Sequence, residues 1–403
     1  MRHNFTIICM IIGTFVVPLN SSMVALALEP IANEFQVPLS QGAWVVTIYL
    51  IGMAVFQIFG GRFVDRFGSM PILFSGTVMF ALGTIICWLA PTFMGLLIGR
   101  LIQASGGAAL VPASSVRLRE MTPIERQGRM FGLLGAAAGI GAALGPPLGG
   151  LFIHYYNWRF QFTVTLILML FPITLIANKN LICRSRKTKK KIRQTNDFVL
   201  LRLVRELFKI RSFRAAAASV FLNNFMVYLL LMCVPLLVKE KWYFNYAGSG
   251  TVMLVFSVTM IAATAAGGAM SDRFGKRPAV LAGCILAAIA GGLLLIASSS
   301  QLLALFIVGV GLAGLSLGSG NASIQATALE AGEAQGAGIA AGIYYVIRYL
   351  GSIVSTLWLS IASIDGSAVN FSLLLAGFMV SAIAAIPCAI GIPMKTSAAS
   401  EKN

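Results

Sequence analysis

Runs of about twenty apolar residues recur from one end of this chain to the other. Twelve can be marked: 5–28, 43–60, 71–89, 93–114, 130–153, 160–178, 215–238, 249–270, 279–298, 301–328, 336–361 and 368–391. Each is long enough to cross the hydrocarbon core of a bilayer once, and helix is the form that satisfies the backbone N–H and C=O groups where no water reaches them. The pattern predicts an all-α integral membrane protein with twelve spans. Only two runs contain a charge, Arg100 in the fourth and Arg348 in the eleventh. The first run follows Arg2 and His3 as a signal peptide's core would. It is too long for that and has no small-x-small exit before Glu29-Pro30, so it reads as an uncleaved first span.

Composition leads to the same class, since a mean hydropathy of +0.86 and 41 glycines do not describe a water-soluble core. The formal charge of +17 matters through its distribution. With the N-terminus inside, Arg159, Lys239 and Lys241 fall outside, Arg100 and Arg348 fall within spans, and the other 25 of 30 lysines and arginines fall inside. That asymmetry predicts cytoplasmic termini in a cell (plasma) membrane of bacterial type. The densest segment, 179–214, holds thirteen basic residues, Asp197, Glu206 and only Phe198, Phe208 and Phe213 as aromatics. It reads as a solvated linker near anionic lipid headgroups, not as a nucleic-acid surface. The expected organisation is a six-helix bundle over 1–178, the linker over 179–214 and a second bundle over 215–403.

An internal repeat supports that division. DRFG at 65–68, between spans 2 and 3, returns unchanged at 272–275, between spans 8 and 9. ERQG at 125–128 is echoed by EAQG at 333–336 with nearly the same offset. Parallel halves of this kind are the build of transporters that bind between their halves. Enzyme chemistry finds no support: the six cysteines stand singly, His3 and His154 are the only histidines, and no nucleophile–base pair or metal motif is present. No catalytic residue, metal or cofactor is expected.

These residues resemble the major facilitator superfamily, and within it the drug:proton antiporter branch, over nearly the whole chain. GRFVDRFGSMPIL at 61–73 is similar to the family's signature between spans 2 and 3, RLIQASGGAA at 100–109 to that of span 4, and GAALGPPLGG at 141–150 to the antiporter signature of span 5. WVVTIYL at 44–50, WRFQF at 158–162 and IRYLG at 347–351 are further likenesses. The resemblance implies a gate in which Gly61, Asp65, Arg66 and Gly68 in one half, and Asp272, Arg273 and Gly275 in the other, shape tight loops. Their aspartates would accept hydrogen bonds from helix starts near Gly336 and Gly128. Ser69 and Met70 depart from the family's basic pair, which Lys276 and Arg277 supply in the second half. Gly141, Gly145 and Gly149 share one helix face beside Pro146 and Gly150, and the resemblance sets span 8 against that face.

In this family spans 1, 4, 7 and 10 line the central cavity. They carry Asn20, Arg100, Gln103, Asn223, Asn224, Tyr228, Asn321 and Gln325 here, among Met23, Phe225 and Met226. With Arg348, these are the candidate substrate residues, suited to an amphipathic small organic molecule such as a drug-like compound or metabolite. Antiporters of the branch often carry an aspartate where this chain has Asn20, and none of its thirteen acidic residues lies deep in a span. Glu29 and Asp65 are then the candidates for proton coupling. The expected function is export of such molecules by alternating access in exchange for protons, as a monomer. An importer or uniporter of an organic anion without proton coupling is the alternative.

Overall fold

A computed structural model describes residues 2–122, 124–176, 204–332, 337–363 and 369–394, which are helical with no strand among them. The chain forms two compact units, Met1–Gln194 and Thr195–Asn403. The first contains α1 (Arg2–Leu26), α2 (Leu28–Glu34), α3 (Leu39–Gly42), α4 (Trp44–Phe67), α5 (Ser69–Leu89), α6 (Phe93–Met121), α7 (Ile124–Tyr155) and α8 (Phe160–Ile176). The second contains α9 (Arg211–Trp242), α10 (Tyr246–Phe274), α11 (Lys276–Ser300), α12 (Leu303–Ser319), α13 (Asn321–Ala331), α14 (Ala337–Ala362) and α15 (Phe371–Ile390). Among the described residues eleven helices are long and apolar enough to cross a membrane, with α3–α4 and α12–α13 each counting as one. The twelfth span corresponds to α8, which is apolar but shorter.

Each unit packs its helices in the same way. In the first, α1 lies against α7 and α8, α6 against α4 and α5, and α5 against α8. In the second, α9 lies against α14 and α15, α12 against α10 and α11, and α11 against α15. Span for span these are the same pairings, so the repeat seen in the sequence is a repeat of packing.

The DRFG turn shows how a short sequence dictates geometry twice. Gly68 ends α4 with φ 91° and ψ 159°, and Gly275 ends α10 with φ 93° and ψ 167°. An L side chain strongly disfavours that region, so glycine lets the chain close one helix and open the next without a loop. The Gly68 N–H donates to the Val64 carbonyl at 2.8 Å, and that of Gly275 to Ser271 at 2.9 Å. Arg66 lies over the Phe67 ring at 5.4 Å and Arg273 over Phe274 at 5.3 Å.

Within its own unit the glycine face of α7 packs on α1. A methyl group at Gly141 would stand 2.2 Å from the Phe15 carbonyl oxygen, and at Gly145 and Gly149 it would meet Ser22 and Met23. All three contacts belong to α1, in the same unit, so here the face serves close packing within one bundle. The counterpart in the second unit is Gly351 of α14, whose added methyl would stand 2.2 Å from the Phe221 carbonyl of α9. Backbones that come this close gain dispersion contacts that no larger residue would permit.

Two alanine substitutions should act in opposite directions. Gly275→Ala must adopt a left-handed φ and would place its methyl 1.9 Å from the Met394 carbonyl, whereas Gly268→Ala on α10 meets nothing within 4 Å. The first is expected to cost about 1–3 kcal/mol or more and the second to gain about 0.5–1 kcal/mol. Thermal unfolding in detergent checks both signs.

Candidate functional site

In the first unit, three of the expected substrate residues form one buried cluster around Arg100. Arg100 of α6, Asn20 of α1 and Gln103 of α6 are all fully buried. Arg100 Nη1 donates to Asn20 Oδ1 and to Gln103 Oε1, each at 2.6 Å, and Nε donates to the Val45 carbonyl of α4 at 3.2 Å. The guanidinium also stacks on the Tyr49 ring, 4.1 Å from its centroid, so the negative face of the ring meets the cation.

The two amides are held in orientation from behind. Asn20 Nδ2 donates to Thr165 Oγ1 of α8 at 3.1 Å, and that hydroxyl donates to the Gln161 carbonyl at 2.7 Å. Gln103 Nε2 donates to Thr84 Oγ1 of α5 at 2.8 Å, and that hydroxyl donates to the Phe80 carbonyl at 2.7 Å. Each relay turns an amide so that its oxygen faces the cation. A charge in lipid thus meets carbonyl dipoles drawn from α1, α4 and α6, with α5 and α8 steadying them. Sequence reading named Arg100, Asn20 and Gln103 but not Thr84, Thr165 or Val45. A backbone carbonyl or a lone threonine in an apolar helix carries no signal of its partner.

The second unit holds the other charged span. Arg348 of α14 is part-exposed, and its Nε donates to Asn224 Oδ1 of α9 at 3.0 Å. Asn224 Nδ2 donates to the Val220 carbonyl at 3.1 Å. Tyr228, Tyr344, Tyr345 and Tyr349 lie within electrostatic reach of the guanidinium. Gln325 of α13 donates to the Tyr345 hydroxyl at 3.3 Å. Asn224 and Arg348 are therefore brought together, with Tyr228 within electrostatic reach. Asn321 opens α13 and, among the described residues, makes no hydrogen bond to that group. Asn223 points elsewhere, reaching the Leu317 carbonyl at 3.4 Å beside a cavity of about 30 Å³, room for a single water.

Of the expected gate, Gly61 and the Asp65 side chain lie outside the described residues, as do the side chains at 123–129 and 333–339 expected to meet the two aspartates. Asp272, Arg66 and Arg273 are exposed, and Gly68 and Gly275 form the turns already described. The residue after each turn is tethered within its own unit. Ser69 Oγ donates to Glu120 Oε2 of α6 at 2.7 Å, and Lys276 is ion-paired with Glu330 of α13. The missing basic pair of the first half thus leaves a neutral tether where the second half has a charged one. Gly141, Gly145, Pro146, Gly149 and Gly150 are buried along α7. Glu29, in the first turn of α2, is half-buried.

At the end of the first unit opposite its DRFG turn, WRFQF finds a role. Arg159 pairs with Glu34, donates to the Ala90 carbonyl at 3.0 Å and stacks on Trp158 at 4.3 Å, while Trp158 Nε1 donates to Glu34 at 2.5 Å. Partial burial pushes the Glu34 carboxyl up, but the hydrogen bonds from Arg159 and Trp158, with the Arg159 charge, outweigh it and hold the group below its ordinary 4.5. Three connections, α2–α3, α5–α6 and α7–α8, are joined there.

Two bundles of matching packing, each with an arginine of a spanning helix met by neutral polar groups, define a polytopic membrane carrier. The family profile of the Major Facilitator Superfamily matches residues 10–356, and the chain belongs to that family. It is 31% identical to the uncharacterized MFS-type transporter YvkA of Bacillus subtilis (strain 168), over 98% of both chains. It is 28% identical to multidrug resistance protein Stp of Mycobacterium tuberculosis (strain CDC 1551 / Oshkosh), over 87% of this chain and 74% of that one. Among solved structures, a bacterial homolog to the human lysosomal transporter Spinster, in an inward-facing and unoccupied conformation, shares the fold. Its TM-score is 0.70 at 13% identity, over 96% of this chain and 95% of that one.

Two measurements check these contacts. Asn20→Leu, which removes a carbonyl from a buried cation, should cost about 1–3 kcal/mol in thermal unfolding, whereas Asn20→Asp, which keeps an acceptor there, should stay close to the parent. Because Glu34 is held below its ordinary value, the stability it contributes is present above pH 4.5 and is lost as pH falls through the folded value. Acid titration of the melting temperature should therefore fall less steeply in Glu34→Gln than in the parent.

Proposed function

We propose that this protein exports amphipathic small organic molecules by alternating access, in exchange for protons. The observation that carries the reading is the glycine–proline run of α7, Gly141 to Gly150, which resembles the antiporter signature of span 5. Similarity to a protein named for multidrug resistance adds to it. Asn20 cannot take up a proton where the branch often has an aspartate, so coupling falls to Glu29, with Asp65 as the second candidate. Asp65 and Asp272 act as gate carboxylates in this reading, and the basic 179–214 linker lies near anionic headgroups. A monomer suffices.

A second reading, uniport or import of an organic anion without protons, is favoured by one observation. Among the described residues Arg348 makes no ion pair with a carboxylate.

Proteoliposome counterflow separates the two. Under the first, flux of an amphipathic dye follows an imposed pH gradient, and Glu29→Gln reduces the gradient-driven component by about tenfold or more, the lower end of what a positioned acid–base group contributes being larger still. Flux indifferent to the gradient and restricted to anions would replace the first reading with the second.

A further inference from the structure

We infer that Arg348, held by Asn224, is the recognition point for a carboxylate on the transported molecule. The inference rests on the reading of this protein as a transporter and names the chemical class its second unit selects.

The two charged spans differ in how their charge is met. Arg100 is fully buried and its side chain donates to three protein acceptors in different directions. Arg348 is part-exposed, and its side-chain hydrogen bond from Nε to Asn224 leaves Nη1 and Nη2 without a protein acceptor among the described residues. Asn224 is itself anchored on Val220, so its oxygen stays aimed at Nε. A guanidinium held by Nε presents its two outer nitrogens as a planar fork, the geometry that matches both oxygens of a carboxylate.

The surroundings favour an anion from the ligand. The α14 helix contains no acidic residue, and the one on α9, Glu240, lies sixteen residues beyond Asn224, about 24 Å along the helix. Glu330 of α13 is already paired with Lys276. The phenols supply donors that suit an oxyanion. Tyr345 accepts from Gln325 and keeps its own O–H to give. The Tyr344 hydroxyl is buried with no hydrogen-bond partner. A carboxylate at the fork neutralises a charge that a spanning helix otherwise carries at a cost.

The probes are a dansylated aromatic carboxylate, its primary amide and a quaternary ammonium carrying the same dye. Binding is read by fluorescence titration of the purified full chain in zwitterionic nanodiscs, and transport of the same probes in proteoliposomes. The parent should bind the carboxylate about 10- to 100-fold more tightly than the amide. Arg348→Gln should bring that ratio to one, and Arg348→Lys, which keeps the charge but loses the fork, should leave an intermediate ratio. Asn224→Ala, which frees Nε, should lower it. Melting curves of each variant establish that it is folded. A ratio near one in the parent, or a preference that survives Arg348→Gln in folded protein, overturns the inference. If no probe crosses the membrane, the transporter reading fails while the binding ratio still decides the question at Arg348. If the amide and the ammonium cross and the carboxylate has no advantage, the inference alone fails.

Discussion

A guanidinium inside a membrane-spanning helix is tolerated only where something replaces the water it has lost. In the first unit two amide oxygens, a backbone carbonyl and a tyrosine face surround Arg100, and two threonines hold the amides in orientation. Five of the unit's helices converge on one cation. A buried polar network whose members are mutually oriented specifies a single arrangement of the helices that supply it. The position of Arg100 thus constrains α1, α4, α5, α6 and α8 together.

The second unit repeats the helix pairings but not the network. Its arginine sits one span later in the half, on α14, and is met by a single amide, with four tyrosines within electrostatic reach. The bundles share a frame because that frame is set by glycines and apolar surfaces, which the repeat preserves. Gly141 against Phe15 and Gly351 against Phe221 show the same close approach in the two halves. Polar chemistry has diverged on the common frame, one half investing it in internal order and the other leaving donors open.

The ends of the first bundle are tied by different chemistry. At the DRFG end a serine hydroxyl on Glu120 takes the place of the Lys276–Glu330 pair of the second unit. At the opposite end an ion pair capped by aromatic rings gathers three connections. Exposed pairs of this kind contribute little each. Their value is in position, because they hold short connections whose helices are already packed.

Much of this was legible in the sequence. The twelve spans follow from run length, since lipid leaves the backbone no partner but itself, and the doubled build follows from DRFG returning at the same place in each half. That Arg100 and Arg348 matter follows from the cost of charge in lipid. What they do could not be read in that way. The identity of a cation's partner depends on which face of α1, α5 and α8 turns toward α6, and an isolated threonine or a main-chain oxygen leaves no trace in a hydrophobic pattern. The glycine face of α7 shows the same limit: spacing predicted a close neighbour, and only packing revealed it to be α1. Periodicity and charge therefore determine which segments cross the bilayer and which residues are costly there, because those depend on one residue and its solvent. Tertiary structure decides which partners meet those costs, because that depends on directions between helices far apart in the chain.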